Sequence, residues 1–167
     1  MQKEKIITNI LDEIKNSLNK NLTDDIFDCK ILPEFLTNIK VSEVMHKNEE
    51  LPLCSRSSNL FEILEEMTNK KLGCAIIVDD DKKIYGIFTD GDIRRKLLSG
   101  NNVLSIPMDN LINKNPKTIQ CDISLLEAIK VMEEYKIQQI IISDNNKIPV
   151  GIINFHDLFN LVLKGNV

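Results

Sequence analysis

The sequence predicts an α+β fold of two tandem repeats preceded by an N-terminal helix, and three observations predict it. Residues 57–93 align without a gap over residues 122–158 at a constant offset of 65. Each copy carries an apolar helical stripe followed by two short apolar runs joined by a polar turn. Neither copy is large enough to bury its own apolar face, so two of them must share a core.

The elements follow in order. The N-terminal stretch sets Ile6, Ile7, Ile10, Leu11, Ile14 and Leu18 along one face of a helix, and Leu32, Phe35 and Leu36 suggest a short connector helix. In the repeats, Leu60 meets Leu125, Glu62 meets Glu127, Met67 meets Met132 and Lys71 meets Lys136. Ser58 and Asp122 offer side-chain oxygens to cap the first long helix of each copy. Leu60, Ile63, Leu64 and Met67, and likewise Leu125, Ala128, Ile129 and Met132, keep helical spacing.

The run Cys74–Val78 is matched by Gln139–Ile142, and its length and β-branched content predict a buried strand. Asp79-Asp80-Asp81-Lys82 and Asp144-Asn145-Asn146-Lys147 then predict hairpin turns into second strands, Ile84–Phe88 and Ile148–Ile153. A last helix starts near Asp90 or Phe155. The first copy closes on Ile93, Leu97 and Leu98 and stops at Gly100; the second uses Leu158, Phe159, Leu161 and Val162 and ends near Gly165. Each repeat thus reads β-α-β-β-α, and the chain divides into an extension over 1–40 and repeats over 41–104 and 105–167.

Composition narrows the function classes. Of 167 residues, 43% are apolar and 28% charged, the mixture of a soluble globular protein. The net charge of −4 argues against a nucleic-acid footprint. No uninterrupted apolar stretch approaches the roughly 20 residues of a membrane span, and charges interrupt the first twenty residues, where a signal peptide would need an apolar core. A cytoplasmic protein is expected. Cys29, Cys54, Cys74 and Cys121 lie too far apart for a zinc signature and read as reduced thiols. The Asp79-Asp80-Asp81 run lacks the spacing and downstream glutamate of a calcium loop.

The repeat order, with Gly86-Ile87-Phe88-Thr89 leading to Asp92, resembles the CBS domain family over residues 41–165. The segments Val41–Leu53, Leu72–Leu97 and Gly151–Leu158 more sharply resemble the C-terminal CBS pair of arabinose-5-phosphate isomerases, enzymes that make the precursor of the lipopolysaccharide sugar Kdo. Full-length members carry a sugar-isomerase domain ahead of that pair. Residues 1–40 hold neither a Gly-rich phosphate loop nor a His-Pro-Gly-Gly segment, so the resemblance implies binding and regulation and not the isomerase activity. It implies a pseudo-twofold pair, a homodimer, and as ligand a nucleotide or nucleotide sugar, CMP-Kdo, AMP or ATP, with no resident cofactor. The competing reading is an interaction subunit that docks a sugar-phosphate enzyme through its N-terminal helix.

Thr89 and Asp92 stand where a strand turns into a helix, and in CBS domains the corresponding pair commonly holds a ribose. The same residues equally suit a helix cap. Arg94 and Arg95 follow in the first turn, where guanidinium groups fork onto phosphate or face solvent. Two cations there are locally unfavourable unless an anionic ligand or a nearby acidic residue offsets them. Asn154 and Asp157 are the second-repeat equivalents, with His156 between them as a possible phosphate contact or a plain capping histidine. His46, after the lead-in Val41–Met45, is the remaining ligand candidate against an ordinary loop histidine.

Overall fold

The computed structural model describes residues 36–100 and 102–158. The stripe from Ile6 to Leu18, the connector residues Leu32 and Phe35, and Phe159, Leu161 and Val162 lie outside the described residues. Along the rest run α1 (Val41–Val44), β1 (Leu53–Ser55), α2 (Leu60–Lys70), β2 (Cys74–Val78), β3 (Ile84–Thr89) and α3 (Asp90–Leu98). They are followed by β4 (Thr118–Ile119), α4 (Leu125–Tyr135), β5 (Gln139–Ser143) and β6 (Pro149–Asn154). Residues 155–158 are helical again. The β-α-β-β-α order holds twice.

Each repeat forms a three-stranded sheet, β1-β2-β3 and β4-β5-β6, with the long helix in the crossover between its first two strands. β1 and β4 pair parallel to β2 and β5, Leu53 beside Ile76 and Thr118 beside Ile141, again 65 residues apart. β2 and β3 form the hairpin, with Cys74 opposite Thr89.

The identities between the copies have local causes. Asn59 caps α2 and Ser124 caps α4, with Glu62 and Glu127 reaching back in full capping boxes. The sequence placed these starts at Ser58 and Asp122. The true caps lie one and two residues later, because only Asn59 and Ser124 combine extended backbone with a glutamate three residues on. Lys71 and Lys136 end the helices in the left-handed conformation at φ 59° and 52°. Asp79 and Asp144 close the hairpin turns, their carboxylates accepting from the Lys83 and Ile148 amides. The aspartate run is therefore a turn.

Two compact units form from interleaved stretches. One holds residues 45–121 and 139–152 and is built on two apolar clusters. In the first, Ile63 and Met67 of α2 pack with Ala75, Ile77 and Phe88 of the sheet. In the second, Cys74, Ile76 and Ile87 of the first repeat pack with Ile141 and Ile152 of the second. This is the shared interior that the repeat demanded. The other unit holds, among the described residues, 36–44, 122–138 and 153–158. Within it, Lys40 bridges Ser124, the Val41 amide donates to Ile123, and α4 buries Leu125, Ala128, Ile129 and Met132.

Candidate functional site

The end of β3 places four candidate residues in one turn. Thr89 is the N-cap of α3, and its hydroxyl accepts from the Asp92 amide at 3.3 Å. Asp92 answers through Oδ2, accepting from the Thr89 amide at 2.9 Å and the Thr89 hydroxyl at 2.7 Å. Its other oxygen, Oδ1, accepts from Arg95 at 2.6 Å. The Asp92 side chain is 16% exposed and that of Arg95 71%, so a half-sheltered carboxylate lies beneath a solvent-facing guanidinium. Asp92 is thus the acidic residue that offsets Arg95 at the helix start. Arg94 is exposed on the same turn.

Gly91 fits under that guanidinium. A Cβ there would lie 3.2 Å from Arg95 Nη1 and 3.5 Å from Thr89 Oγ. The turn is pinned at its entry as well, where the Asp90 amide donates to Gly73.

At the end of β6 the Asn154 side chain accepts from the His156 amide at 2.9 Å, a local Asx turn. Asn154 and Asp157 are half-buried and His156 is exposed. These three belong to the second compact unit. His46 is held elsewhere in the chain's hydrogen bonding: its backbone exchanges two bonds with Ile152 of β6, both 3.0 Å, and its Nδ1 lies 3.4 Å from Glu50.

The lead-ins reveal a relation that the offset of 65 hides. Residues 41–48 correspond to 108–115 at an offset of 67, which makes Asn113 the equivalent of His46. Asn113 exchanges two backbone bonds with Ile87 of β3, both 2.9 Å. Each lead-in therefore crosses the hairpin of the opposite repeat, and the crossing falls at a glycine. A Cβ on Gly86 would come within 2.3 Å of Ile112 and 2.7 Å of the Asn113 carbonyl; one on Gly151 would come within 2.2 Å of the Met45 sulfur. The residue on the strand leading to Thr89 is thus Asn113. A two-residue change in repeat spacing between lead-in and helix was its sequence signal.

A further polar group lies at the start of β3. Tyr85 donates to Asp109 Oδ1 at 2.9 Å, and Arg56 and Lys114 approach Oδ2 at 3.3 and 3.4 Å. The Tyr85 hydrogen bond, then the Lys114 and Arg56 cations, hold the Asp109 carboxyl below the usual carboxylate range against a smaller burial effect. Burial pushes the Cys54 thiol up to about 11, with Glu66 and Glu62 adding to it, and the Cys74 thiol up to about 12, with Asp90 adding. Neither is a nucleophile at neutral pH. Among the described residues no cluster of histidine, cysteine and carboxylates is placed to hold a metal, and no helix is long and apolar enough to cross a membrane.

Comparison with known proteins agrees with this architecture. The family model described as CBS domain matches residues 41–99 and 108–164, the two lead-in-to-helix repeats. Arabinose 5-phosphate isomerase KdsD of Pseudomonas aeruginosa is 41% identical over 120 residues, which cover 72% of this chain and 37% of that relative. The chain thus spans little more than a third of the curated relative it matches. The CBS domain pair of protein MJ0100, solved with 5-methylthioadenosine and S-adenosyl-L-methionine, aligns at TM-score 0.68 and 20% identity, covering 76% of this chain and 98% of that one. A CBS domain protein of Pyrobaculum aerophilum complexed with AMP aligns at TM-score 0.64 and 20% identity, covering 72% and 90%.

Proposed function

The chain belongs to the CBS domain family, and we propose that it is a non-catalytic regulatory module whose repeats bind a nucleotide or nucleotide sugar. The observation that carries this reading is the Thr89–Asp92–Arg95 arrangement. A carboxylate has about four acceptor positions; Asp92 uses two on Thr89 and one on Arg95, and all three partners are its own helix turn. Ribose hydroxyls donate to such a carboxylate. An incoming phosphate would draw Arg95, and Arg94 beside it, outward and leave Oδ1 to the sugar. The arginine thus guards the carboxylate until an anion arrives.

Asn154, His156 and Asp157 are proposed as ligand contacts of the second repeat's turn, and His46, separately, as a contact of the first lead-in, with less positive charge. AMP follows from the ligand of the Pyrobaculum structure, and ATP is taken with it as the triphosphate of the same nucleoside. CMP-Kdo follows from the kinship with arabinose 5-phosphate isomerase. A homodimer acting in the cytoplasm on a sugar-phosphate enzyme of lipopolysaccharide synthesis completes the proposal.

Thermal unfolding with AMP, ATP and CMP-Kdo tests it. A ligand at 100 times its Kd contributes about 2.7 kcal/mol, which raises Tm by about 5–10 °C for a chain of this size. The shift is expected to disappear in Asp92→Ala. No shift with any of the three, or a shift that Asp92→Ala leaves intact, contradicts the reading. Incubation with arabinose 5-phosphate is expected to yield no ribulose 5-phosphate.

A further inference from the structure

Asp109 takes no part in a helix cap of the nucleotide turn, yet it gathers three donors from three separate stretches. It sits in the short 3-10 turn Met108–Asn110, at the start of the second lead-in. Tyr85 comes from β3, Arg56 from the loop after β1, and Lys114 from the far end of the lead-in. The Arg56 guanidinium lies 4.2 Å from the Tyr85 ring centroid and the Lys114 ammonium 5.5 Å, so both cations also face the ring. The ring itself packs on the first apolar cluster.

The next two residues of β3 continue the grip. Gly86 lies under Ile112 and the Asn113 carbonyl, and Ile87 exchanges both backbone bonds with Asn113. Three successive strand residues therefore hold residues 109–113. Two residues further along the same strand is Thr89. The ion pairs are half-exposed and add little stability by themselves. What the group supplies is register, since a half-buried hydroxyl on one carboxylate oxygen fixes where the lead-in lands.

We propose that the Tyr85–Asp109 contact, braced by Arg56 and Lys114, is a positioning clamp that seats residues 108–114 on β3 and thereby sets the geometry of the turn at Thr89 and Asp92. Its consequence for affinity rests on the reading of that turn as the nucleotide site; the seating itself does not. At the other crossing Val150 stands in place of Tyr85, Ser42 in place of Asp109 and Cys121 in place of Arg56. The clamp thus belongs to one crossing only.

Tyr85→Phe removes one hydroxyl and keeps the packed ring. In the full chain, amide hydrogen exchange at Ile87 and Asn113 is expected to accelerate about tenfold or more, the lower range for losing a bond to a charged acceptor. Exchange at the His156 amide is expected to stay as it is. AMP affinity is expected to weaken about tenfold at most, with Tm within a few degrees of wild type. Asp109→Asn, which leaves Tyr85 an acceptor but releases both cations, is expected to give a smaller acceleration. Unchanged exchange at Ile87 and Asn113 in Tyr85→Phe overturns the proposal, as does equal acceleration at His46 and Ile152 of the other crossing. If wild type takes no AMP, the nucleotide reading fails separately, and the exchange data still judge the clamp.

Discussion

The two strand-to-helix turns start from the same plan and end differently. At β3 a threonine hydroxyl, an aspartate and an arginine close on one another over a glycine. At β6 an asparagine turns its side chain onto the amide of His156, which stands where the first repeat has Gly91. Arg94 and Arg95 are replaced in sequence by Phe159 and Asn160. The copies agree elsewhere at positions that build scaffold, namely the glutamates Glu62 and Glu127 of the capping boxes, the left-handed lysines and the turn aspartates. Identity is kept where backbone must be satisfied. Difference collects where a ligand would be distinguished.

The lead-in crossings offer the largest test of that comparison. Gly86→Ala forces a methyl against Ile112 and a backbone carbonyl, whereas Gly151→Ala meets the flexible Met45 side chain. Overpacking typically costs 1–3 kcal/mol, so about 3 kcal/mol is expected at Gly86 and about 1 kcal/mol at Gly151 by urea unfolding. Equal costs would mean that both lead-ins yield alike.

The caps should instead be matched. Asn59→Ala and Ser124→Ala are each expected to cost about 1 kcal/mol. A pH series sharpens this pair. The Ser124 backbone and hydroxyl, with Lys130 adding, hold the Glu127 carboxyl below its ordinary value. A depressed carboxylate contributes stability above its unfolded pKa and loses it as pH falls through the folded one. The Ser124→Ala penalty should therefore shrink below about pH 4, and a penalty constant with pH would argue against the glutamate's role.

The thiols give the smallest effect on stability and a plain readout. Cys54 and Cys74 are buried with raised pKa values, while Cys121 in the second repeat is exposed. In a Cys29→Ser background a disulfide reagent at pH 8 should modify Cys121 about 100-fold faster than either. Comparable rates would show that the first repeat opens readily.

Much of this was legible in the sequence because its causes are local. Helical stripes, β-branched runs and the offset of 65 located the strand Cys74–Val78 and, to within two residues, the cap of the helix Leu125–Tyr135. Cap identity was less legible, since Ser57, Ser58 and Asn59 all carry cap-competent oxygens, although the glutamate three residues on, Glu62, singles out Asn59. Thr89, Asp92 and Arg95 were legible as neighbours in one turn. Their mutual hydrogen bonds were not, because a cap and a sugar contact call for the same residue types. Long-range partners left no local trace. Tyr85 meets Asp109 across 24 residues and Arg56 meets it across 53. Asn113 escaped notice because the lead-ins repeat at 67 and not 65.

The central claim is that the first turn is the preferred seat for an anionic nucleotide. Titrating the 15N-labelled chain with AMP measures this most directly. The account predicts that the amides from Thr89 to Arg95 shift first and saturate together, that His156 follows only at higher concentration, and that Asp92→Ala removes the first phase alone. Shifts that begin at His156, or that survive Asp92→Ala at Thr89, would contradict it.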